Sequence, residues 1–384
     1  MKVNTGTANT FSLGEMPFYW RIRSSANIVH DELPSRMNYT FEYIPELDLI
    51  QSLQTNDLWP TLEKMYAEDS NIGFLLEGHT LAESYGSDFS NFLINFLKLN
   101  TVQNILEIGC GGCMLLSELS SLGYDVLGVD PSPVAERAGL DKNIKVVKDF
   151  FPSESIKDKF DLIFHVDVFE HVPNPVDFLL KQKEFLSNNG SIIINVPDCT
   201  KTIKAGDISI AQHQHVNSFD VCSLFNVIEE AGLYVGDIVT SGFGGSLYAI
   251  ATKQKNSLGF SKPNETNGEQ FFQKSLNNAQ KLEAKIQALK SKGKSIGFYM
   301  PLRAIPYMAF MKDFDDFRIF DDIEHWHGGF IDGLDIPIEN YNDLINEPVD
   351  HLFIMSFTFG EQLKRKVNSE TPSIKVETIK EICS

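Results

Sequence analysis

A glycine-rich turn follows a short apolar run at residues 105–108, and beyond it the chain resumes as an apolar helix start. Gly109 and Gly111 allow bare backbone to approach a ligand, and the following helix points its N-terminus at the same place. Glu107 lies inside the apolar run, where its carboxylate can bind an ammonium group. Asp130 ends the next apolar run and can accept hydrogen bonds from both ribose hydroxyls of an adenosine. These residues predict a site for an adenosine cofactor that carries an amine.

The glycine spacing argues against a dinucleotide cofactor. The dinucleotide fingerprint Gly-x-Gly-x-x-Gly requires a third glycine at the position that Met114 occupies. The carboxylate of Glu107 would also repel a pyrophosphate. The residues therefore favour an amino-acid derivative of adenosine.

Two segments contain histidines that can move protons. One is Gln212-His-Gln-His215, and the other contains His171 in Phe169-Glu-His-Val172. Histidine titrates near neutral pH and can remove a proton from a reacting atom. A structural, hydrogen-bonded role for His171 is an equally good interpretation.

Histidine spacing also raises the question of a metal. His213 and His215 have the spacing of ligands, and so have His325 and His327. A metal site built on them would need a paired carboxylate nearby in the sequence, and we find none. No metal is predicted.

Apolar runs alternate with helical patterns from about residue 84 to residue 253, which predicts a mostly parallel sheet covered by helices. The expected strands cover residues 105–108, 126–129, 145–147, 161–164, 191–196, 233–240 and 247–252. Ligands of such sheets lie beyond the carboxyl ends of the strands, so Val166 and Asp167 are expected to line the amino-acid part of the cofactor. A helix is expected to begin at Ser218, its N-cap, and to stop at Gly232.

Four segments describe the whole chain. Residues 1–84 are expected to form an N-terminal lid on the substrate side, with one or two short helices within residues 45–66. Residues 85–254 form the cofactor-binding domain, and residues 255–268 form a linker. Residues 269–384 are expected to form a long helix at 270–289 and a second, smaller α/β domain. The apolar stripe of the long helix can pack within the chain or against a partner subunit.

The sequence resembles a known class of enzymes at several of these places. Glu107-Ile-Gly-Cys-Gly-Gly112 resembles motif I of the class I S-adenosylmethionine-dependent methyltransferases, and Phe169-Glu-His-Val172 resembles the same class. Further segments resemble the three-domain sugar C-methyltransferases, namely Gln212-His-Gln-His-Val-Asn-Ser-Phe219, Gly244-Gly-Ser-Leu247 and the stretch from Gly328 to Ile338. The resemblance implies a class I methyltransferase doubly wound sheet and S-adenosylmethionine as cofactor. It also implies a sugar-like, nucleotide-linked small molecule as substrate.

Roles for individual residues follow from the resemblance. In this class the corner after the third strand holds the adenine, which implies that Asp149 accepts from its exocyclic amine and Phe150 covers one face. Phe150 is equally well explained as a core residue. His215 is implied as the base that deprotonates the methyl acceptor, and His213 and His171 are the other catalytic candidates.

Substrate contacts are expected in the resembling segments and in the C-terminal domain. The candidates are Gln212, Gln214, Gly245 and Arg303, with Lys201 and Lys204 as further candidates for holding a phosphate.

The chain departs from the sugar C-methyltransferase pattern in three places. The family carries Tyr-His-Glu-His where this chain has amides at Gln212 and Gln214, and it carries a third glycine where this chain has Cys113. It also has an N-terminal zinc module, which is excluded here because no cysteine precedes Cys110. A neutral amide stabilises a cationic histidine less than a carboxylate does, so the pKa of His215 is expected to be lower than in a relative with glutamate. Carbon and oxygen methylation both stay open, as does a catalytically altered relative that binds cofactor or sugar as an assembly partner.

Composition restricts the partners and the compartment. A formal net charge of −19 argues against a nucleic-acid partner, which would need a basic face. The sequence shows neither a signal peptide nor an apolar stretch of membrane-spanning length, so a cytoplasmic protein without a membrane partner is expected.

Cys110 and Cys113 lack the second pair that a zinc knuckle needs, so reduced cysteines packed near the cofactor are expected. A monomer or a homodimer is expected.

Overall fold

The computed structural model describes residues 9–18, 22–23, 33–53, 55–68, 80–255, 260–263, 268–310, 316–331 and 334–384. Its strands are β1 (Thr10–Pro17), β2 (Ile22–Arg23), β3 (Arg36–Ile44), β4 (Leu49–Ser52), β5 (Asn104–Ile108), β6 (Asp125–Val129), β7 (Val146–Val147), β8 (Phe160–Val166), β9 (Leu186–Pro197), β10 (Asn217–Ser218), β11 (Tyr234–Thr240), β12 (Ser246–Thr252), β13 (Ile296–Tyr299), β14 (Phe317–Asp321), β15 (Phe330–Ile331), β16 (Ile338–Asn340), β17 (His351–Ile354) and β18 (Lys375–Thr378). Its helices are α1 (Leu58–Glu68), α2 (Thr80–Leu99), α3 (Met114–Ser121), α4 (Pro133–Lys142), α5 (Pro175–Phe185), α6 (Thr200–Ala205), α7 (Val221–Glu230), α8 (Gly268–Lys290), α9 (Pro301–Phe310), α10 (Tyr341–Asn346), α11 (Gly360–Glu370) and α12 (Ile379–Ile382).

The central sheet has seven strands in the order β11-β12-β9-β8-β5-β6-β7. The strands β5 to β9 are mutually parallel, and β12 runs antiparallel to both of its neighbours. Continuous apolar runs such as residues 105–108 are buried on both faces because helices cover both sides of the sheet. This topology confirms the doubly wound class I sheet, and every strand expected from the sequence is present.

The N-terminal residues form a separate antiparallel sheet in the order β1-β3-β4-β10. Its last strand, β10, comes from the middle of the chain and pairs Asn217 with Gln51 and Ser218 with Ile50. Of the one or two short helices expected within residues 45–66, the structure has α1, while Leu49–Ser52 form the fully buried β4. Ser218 is likewise a strand residue, and the N-cap of α7 is Asp220, whose side chain accepts from the backbone N–H of Ser223. Gly232 follows the end of α7 with a φ of +65°.

The C-terminal region is a second α/β unit, as expected. Its five strands lie in the order β16-β14-β13-β17-β18, and every neighbouring pair is parallel. The two short strands β2 and β15 pair with each other and connect this unit to the N-terminal segment.

The long helix α8 connects the two α/β units and packs within the chain. Its buried face includes Ala279, Leu282 and Ile286 of the apolar stripe, together with Phe271, Ser275 and Asn278, whereas Phe272 and Leu276 are only partly buried. The Asn278 amide donates to the backbone oxygens of residues 205 and 206 at the end of α6. Neither α8 nor any other helix in the described ranges has the length and apolarity that crossing a membrane requires.

Candidate active site

The glycine turn lies between β5 and α3, at the carboxyl edge of the central sheet. Gly109 has a φ of +74°, and a Cβ there would lie 2.4 Å from Cγ2 of Val168. Gly111 has a φ of +43°, and a Cβ there would meet nothing within 4 Å. Cys113, where the resembling family has glycine, also adopts a left-handed conformation with a φ of +55°. The turn therefore leaves open space over Gly111, while Gly109 is required by close packing.

Two acidic side chains meet at this turn. Asp130 accepts hydrogen bonds from the backbone N–H of Gly111 at 2.9 Å and of Ser132 at 2.8 Å. Each of its oxygens keeps a second lone pair for a ligand hydroxyl. Glu107 is 3% exposed, and its Oε2 has no hydrogen-bond partner in the described part of the chain. Burial raises the pKa of Glu107, with the nearby Cys113 and Asp130 adding to the effect. An orphaned buried carboxylate beside an open backbone turn fits a ligand that carries an ammonium group.

The cysteines of the turn lie behind it in the core. Cys110 and Cys113 are buried thiols with their sulfur atoms 4.0 Å apart. A Cβ at Gly128 would lie 2.5 Å from Cys110 Sγ, so this thiol packs directly against β6.

Asp149 and Phe150 follow β7 at the same edge. Asp149 is exposed, and its Oδ1 accepts from the backbone N–H of Phe150. The Phe150 ring is only partly buried and meets Trp59 of α1 edge-on, with 6.4 Å between centroids. The neighbouring Phe151 packs in the core. The two rings thus have different surroundings, since Phe151 packs against the core and Phe150 lies against α1.

Val166 and Asp167 come at the end of β8. Val166 is buried, and Asp167 takes a left-handed φ of +51°. The hydroxyl of Tyr85, from α2, donates to both carboxylate oxygens of Asp167 at 2.8 and 3.0 Å. Burial raises the pKa of Asp167 to about 6, although the bond from Tyr85 opposes the rise. Tyr85 was not expected from the sequence, since only the folded chain brings α2 to this carboxylate.

His171 and His215 lie together beyond the sheet edge. Their rings meet edge-on with 5.0 Å between centroids. Nδ1 of His171 lies 2.8 Å from the carbonyl oxygen of Gln214 and 2.9 Å from the hydroxyl of Tyr66. Burial lowers the pKa of His171 to about 4. Burial also lowers the pKa of His215 well below its ordinary value, with His171 and Arg303 adding to the effect. Both imidazoles are therefore neutral at physiological pH.

Asn217 of β10 holds the two histidine segments together. Its side-chain amide donates to the backbone oxygens of Phe169 at 3.4 Å and of Val172 at 2.7 Å, which flank the turn that carries His171. The rings of Phe169 and Phe219 stack with 4.9 Å between centroids. Since Asn217 also pairs with β4, the N-terminal sheet positions the histidine loop.

The remaining residues of the loop face the N-terminal segment. His213 is buried between the rings of Phe18 and Tyr39, and its Nε2 lies 3.2 Å from the carbonyl oxygen of Met37. Burial lowers the pKa of His213 to about 4. The loop turns between the histidines, so His213 and His215 contact different parts of the molecule.

The two glutamines of the loop are also buried. The amide of Gln214 lies 3.8 Å from the sulfur of Met65 in α1, and the backbone oxygen of Gln212 accepts from the N–H of His215.

The substrate candidates outside the loop are spread over several elements. Arg303 of α9 is half-buried and donates from Nη1 to the backbone oxygen of Ser209, close enough to influence His215. Lys201 and Lys204 are exposed on α6. Gly245 is exposed in the turn before β12, with a φ of +83°. The structure thus brings Arg303, and not the two lysines, into the surroundings of the histidine pair.

The sequence analysis did not predict one buried carboxylate near this site, that of Glu170. Glu170 is 1% exposed, and its Oε1 lies 3.6 Å from Nε2 of His171. Neither carboxylate oxygen has a hydrogen-bond partner in the described ranges. The Phe-Glu-His-Val segment contained the signal, but only its histidine was interpreted chemically.

Comparison with known proteins identifies the central domain. Residues 81–237 match the family model described as a methyltransferase domain. The ubiquinone biosynthesis O-methyltransferase of Schizosaccharomyces pombe is 30% identical over 120 residues, which are 29% of this chain and 44% of that protein. The enzyme of the same name from Pelagibacter ubique is 32% identical over 150 residues, which are 34% of this chain and 61% of that protein. The chain thus spans 44% to 61% of the length of these two relatives. Their names do not mention a sugar.

Solved structures give weaker likenesses. A magnesium protoporphyrin IX methyltransferase from Synechocystis with bound S-adenosylmethionine is 12% identical, with a TM-score of 0.38 over 53% of this chain and 99% of that chain. A methyltransferase from Clostridium acetobutylicum is 13% identical, with a TM-score of 0.37 over 44% of this chain and 92% of that chain. The assignment of this domain therefore depends on the family match and on the sheet topology. Residues 81–237 therefore match a methyltransferase domain, and the sheet that they form has the class I methyltransferase topology.

Proposed function

We propose that the protein methylates a sugar or sugar-like small molecule, nucleotide-linked, at a site beside His171 and His215. The observation that carries the proposal is that this neutral histidine pair lies at the carboxyl edge of the sheet that also bears the glycine turn. The sugar class rests on the resemblance of the histidine loop and the C-terminal segment to the sugar C-methyltransferases. Buried Gln214 and half-buried Arg303 offer the polar contacts that a sugar phosphate requires.

The cofactor is assigned to the residues around the glycine turn. Glu107 would hold its ammonium group, Asp130 its ribose hydroxyls, and the backbone at Gly109 and Gly111 would lie against it. When bound, S-adenosylmethionine supplies a methyl group on a sulfonium, which is a good leaving group. Asp149 and Phe150 would contact the adenine, while Val166 and Asp167 would line the methionine part.

His215 is the proposed proton acceptor. A neutral imidazole has a lone pair for the proton of the acceptor, and His171 lies edge-on beside it. Gln214 is an amide and cannot stabilise the resulting histidinium as a carboxylate would. The proposal therefore favours an oxygen acceptor, which loses its proton more readily than an unactivated carbon does. The O-methyltransferase names of the curated relatives support the same choice.

Other residues of the site are assigned to positioning and to substrate. The contacts of His213 with Phe18 and Tyr39 support a role in anchoring the loop. Arg303 is proposed to bind a phosphate of the substrate. Gln212, Gln214 and Gly245 are proposed to contact the sugar, and Lys201 and Lys204 to supply longer-range positive charge.

The decisive experiment is a mass-spectrometric screen of nucleotide sugars with S-adenosylmethionine, using the full chain and the variant His215→Ala. Turnover of the acceptor found should fall by about two to four orders of magnitude in the variant, which is the usual contribution of a general base. The affinity for S-adenosylhomocysteine should stay nearly unchanged. The exposed His325 provides the matched control, His325→Ala, which should behave as wild type.

Two results would contradict the proposal. If no nucleotide sugar is methylated while another acceptor class is, the substrate assignment is wrong. If His215→Ala keeps full turnover, the proton goes elsewhere. Binding of S-adenosylhomocysteine without any transfer would favour a non-catalytic partner protein.

A further inference from the structure

Glu170 presents an unusual problem of charge and hydrogen bonding. Its carboxylate is buried at 1% exposure, and in the described part of the chain no donor reaches either oxygen. Burying a carboxylate without partners is strongly unfavourable. Nε2 of His171 lies 3.6 Å from Oε1 of Glu170. Burial raises the pKa of Glu170 well above its ordinary value, so either a proton or a bound cation can relieve this cost.

The tautomer of His171 decides whether its Nε2 can donate a hydrogen bond to Glu170. Its Nδ1 lies 2.8 Å from the carbonyl oxygen of Gln214, which can only accept a hydrogen bond. The hydroxyl of Tyr66, 2.9 Å from the same Nδ1, can direct its own hydrogen to the oxygen of Gln214 at 3.5 Å. In that arrangement Nδ1 carries the hydrogen, and the lone pair of neutral His171 is on Nε2. Two acceptors, the Nε2 lone pair and the Glu170 carboxylate, thus face each other. A shared proton would require a distance of about 3 Å or less, well below the 3.6 Å observed.

A cation satisfies both acceptors at this separation. With metal–nitrogen and metal–oxygen bonds of about 2.1 Å, two ligand atoms of a tetrahedral site lie about 3.4 Å apart. A ligand histidine usually donates its other ring N–H to a carbonyl or a carboxylate, as His171 does to Gln214. The ligand atoms of Glu170, His171 and His215 all lie within 4.8 Å of one another. We infer that Glu170, His171 and His215 bind a divalent cation.

This inference rests on the proposed function for the position of the site and the class of substrate, but it replaces the role of His215 as proton acceptor with that of a cation ligand. Three protein ligands leave one position of a tetrahedral cation open, which is the arrangement of catalytic rather than structural sites. A hydroxyl of the acceptor placed there would have a lowered pKa and would lose its proton to water. The acceptor oxygen then forms a bond to the methyl carbon as the sulfur–methyl bond breaks and its electron pair returns to sulfur. In the cation-loaded enzyme His215 is a ligand, so the proton does not pass to it, and the methylated atom is oxygen.

Two sequence-identical dipeptides make a matched test possible. Glu170-His171 is buried in the site, whereas Glu324-His325 is exposed in the C-terminal domain. The full chain, stripped with a chelator, is titrated with Co²⁺ and with Zn²⁺ by calorimetry, and the absorption of bound Co²⁺ reports its ligands. We expect one cation per chain in the wild type and in Glu324→Gln. Glu170→Gln should weaken binding by about 100-fold or more, since loss of even a supporting residue weakens metal binding about 10–100-fold.

The outcomes separate this inference from the proposed function. Retained binding of S-adenosylhomocysteine shows that Glu170→Gln is folded, so its loss of Co²⁺ binding then supports the site. Equal Co²⁺ affinity in wild type and Glu170→Gln overturns the inference. If the stripped protein methylates a nucleotide sugar at full rate, the catalytic part fails while the proposed function stands. If Co²⁺ binds as expected but no sugar is methylated, the cation site stands and the substrate assignment fails.

Discussion

The seven-stranded central sheet and the five-stranded C-terminal sheet each contain a row of parallel strands, and the carboxyl edges of these strands are built differently. In both sheets the chain leaves a central strand through a left-handed residue, which is Gly109 after β5 and Met300, with a φ of +69°, after β13. The glycine leaves bare backbone and open space next to it. Met300 instead places a partly buried side chain against the core of its domain, and Pro301 begins α9 immediately.

The neighbouring strands show the same contrast. Asp130, after β6, reaches across to the backbone N–H of Gly111 in the adjacent turn. Asp321, at the end of β14, accepts at 2.9 Å from the N–H of Ile323 in its own turn. Asp130 accepts from the backbone of a neighbouring turn, whereas Asp321 closes its own turn. A shared sheet topology therefore does not decide where a cofactor binds, because that depends on the residues at the strand ends.

The largest effect on the comparison between the two sheets is expected from a substitution at Gly109. Gly109→Ala forces a left-handed alanine, which costs roughly 1–2 kcal/mol, and overpacks Val168, which costs roughly 1–3 kcal/mol more. We expect the free energy of unfolding to fall by about 2–5 kcal/mol and cofactor binding to be lost, as measured by denaturant unfolding and calorimetry. Adding Val168→Ala should recover part of the stability. Equal stability of Gly109→Ala and wild type would contradict the close packing of Gly109 against Val168.

In the C-terminal sheet, the buried carboxyl group of Asp321 is expected to make the free energy of unfolding depend on pH. Burial raises the pKa of Asp321 from 3.8 to about 6, with Asp322 adding to the rise and His327 opposing it. A raised carboxyl pKa means that the charged form destabilises the fold, so stability increases as the pH falls from 7 towards 4. Asp321→Asn should be more stable at pH 7 by up to about 3 kcal/mol, and the difference should vanish near pH 4.

Asp335→Asn, at an exposed residue of the same domain, is the control for this pH series. Its unfolding free energy should follow that of the wild type. A constant difference between Asp321→Asn and wild type from pH 4 to pH 8 would contradict the assignment. Neither variant should change the affinity for S-adenosylhomocysteine.

Asp130 should show the opposite behaviour, with a large effect on binding. Each charge-assisted hydrogen bond lost in Asp130→Ala should weaken S-adenosylhomocysteine binding by roughly 1.5–3 kcal/mol, which calorimetry would measure. Asp130→Asn keeps an acceptor for Gly111 and should lose less. Unchanged affinity, or tighter binding of NAD than of S-adenosylhomocysteine by the wild type, would exclude the assigned cofactor site.

The smallest effect is expected at Met300. Met300→Gly relieves a left-handed conformation that costs roughly 1–2 kcal/mol but loses packing and gains freedom in the unfolded chain. The net change in unfolding free energy should stay below about 1 kcal/mol, with cofactor affinity unchanged. A glycine that creates nucleotide binding in this domain would show that Met300 is what keeps the second sheet from binding a ligand.

The central sheet and the residues at its carboxyl edge were predictable because their signals are local. The apolar run, the glycines and the acidic ends of the strands lie within short stretches, and the parallel topology brings Glu107, Gly109 and Asp130 to one edge. The N-terminal sheet was not predictable in the same way. Its last strand consists of Asn217 and Ser218 alone, so short a segment has no pattern of its own, and Ser218 was interpreted as a helix cap.

The histidine site illustrates the same limit. The pairing of His171 with His215, the support from Tyr66 and the isolation of Glu170 all depend on contacts between distant segments. Sequence spacing favoured His213 and His215 as a pair, but the turn between them separates their surroundings. The burial of Asn278 on α8 has a similar cause, since its amide bonds to backbone oxygens at the end of α6, a distant segment that the sequence pattern does not show.

The origin of β10 has a consequence for how such proteins can evolve. This strand belongs to the matched methyltransferase residues 81–237, whereas β1, β3 and β4 precede them. A recombination event that exchanged the segment before residue 81 would leave β10 beside an open sheet edge and would remove the support of the loop that carries His215. The N-terminal segment and the histidine loop must therefore be inherited together, although about 160 residues separate their paired strands.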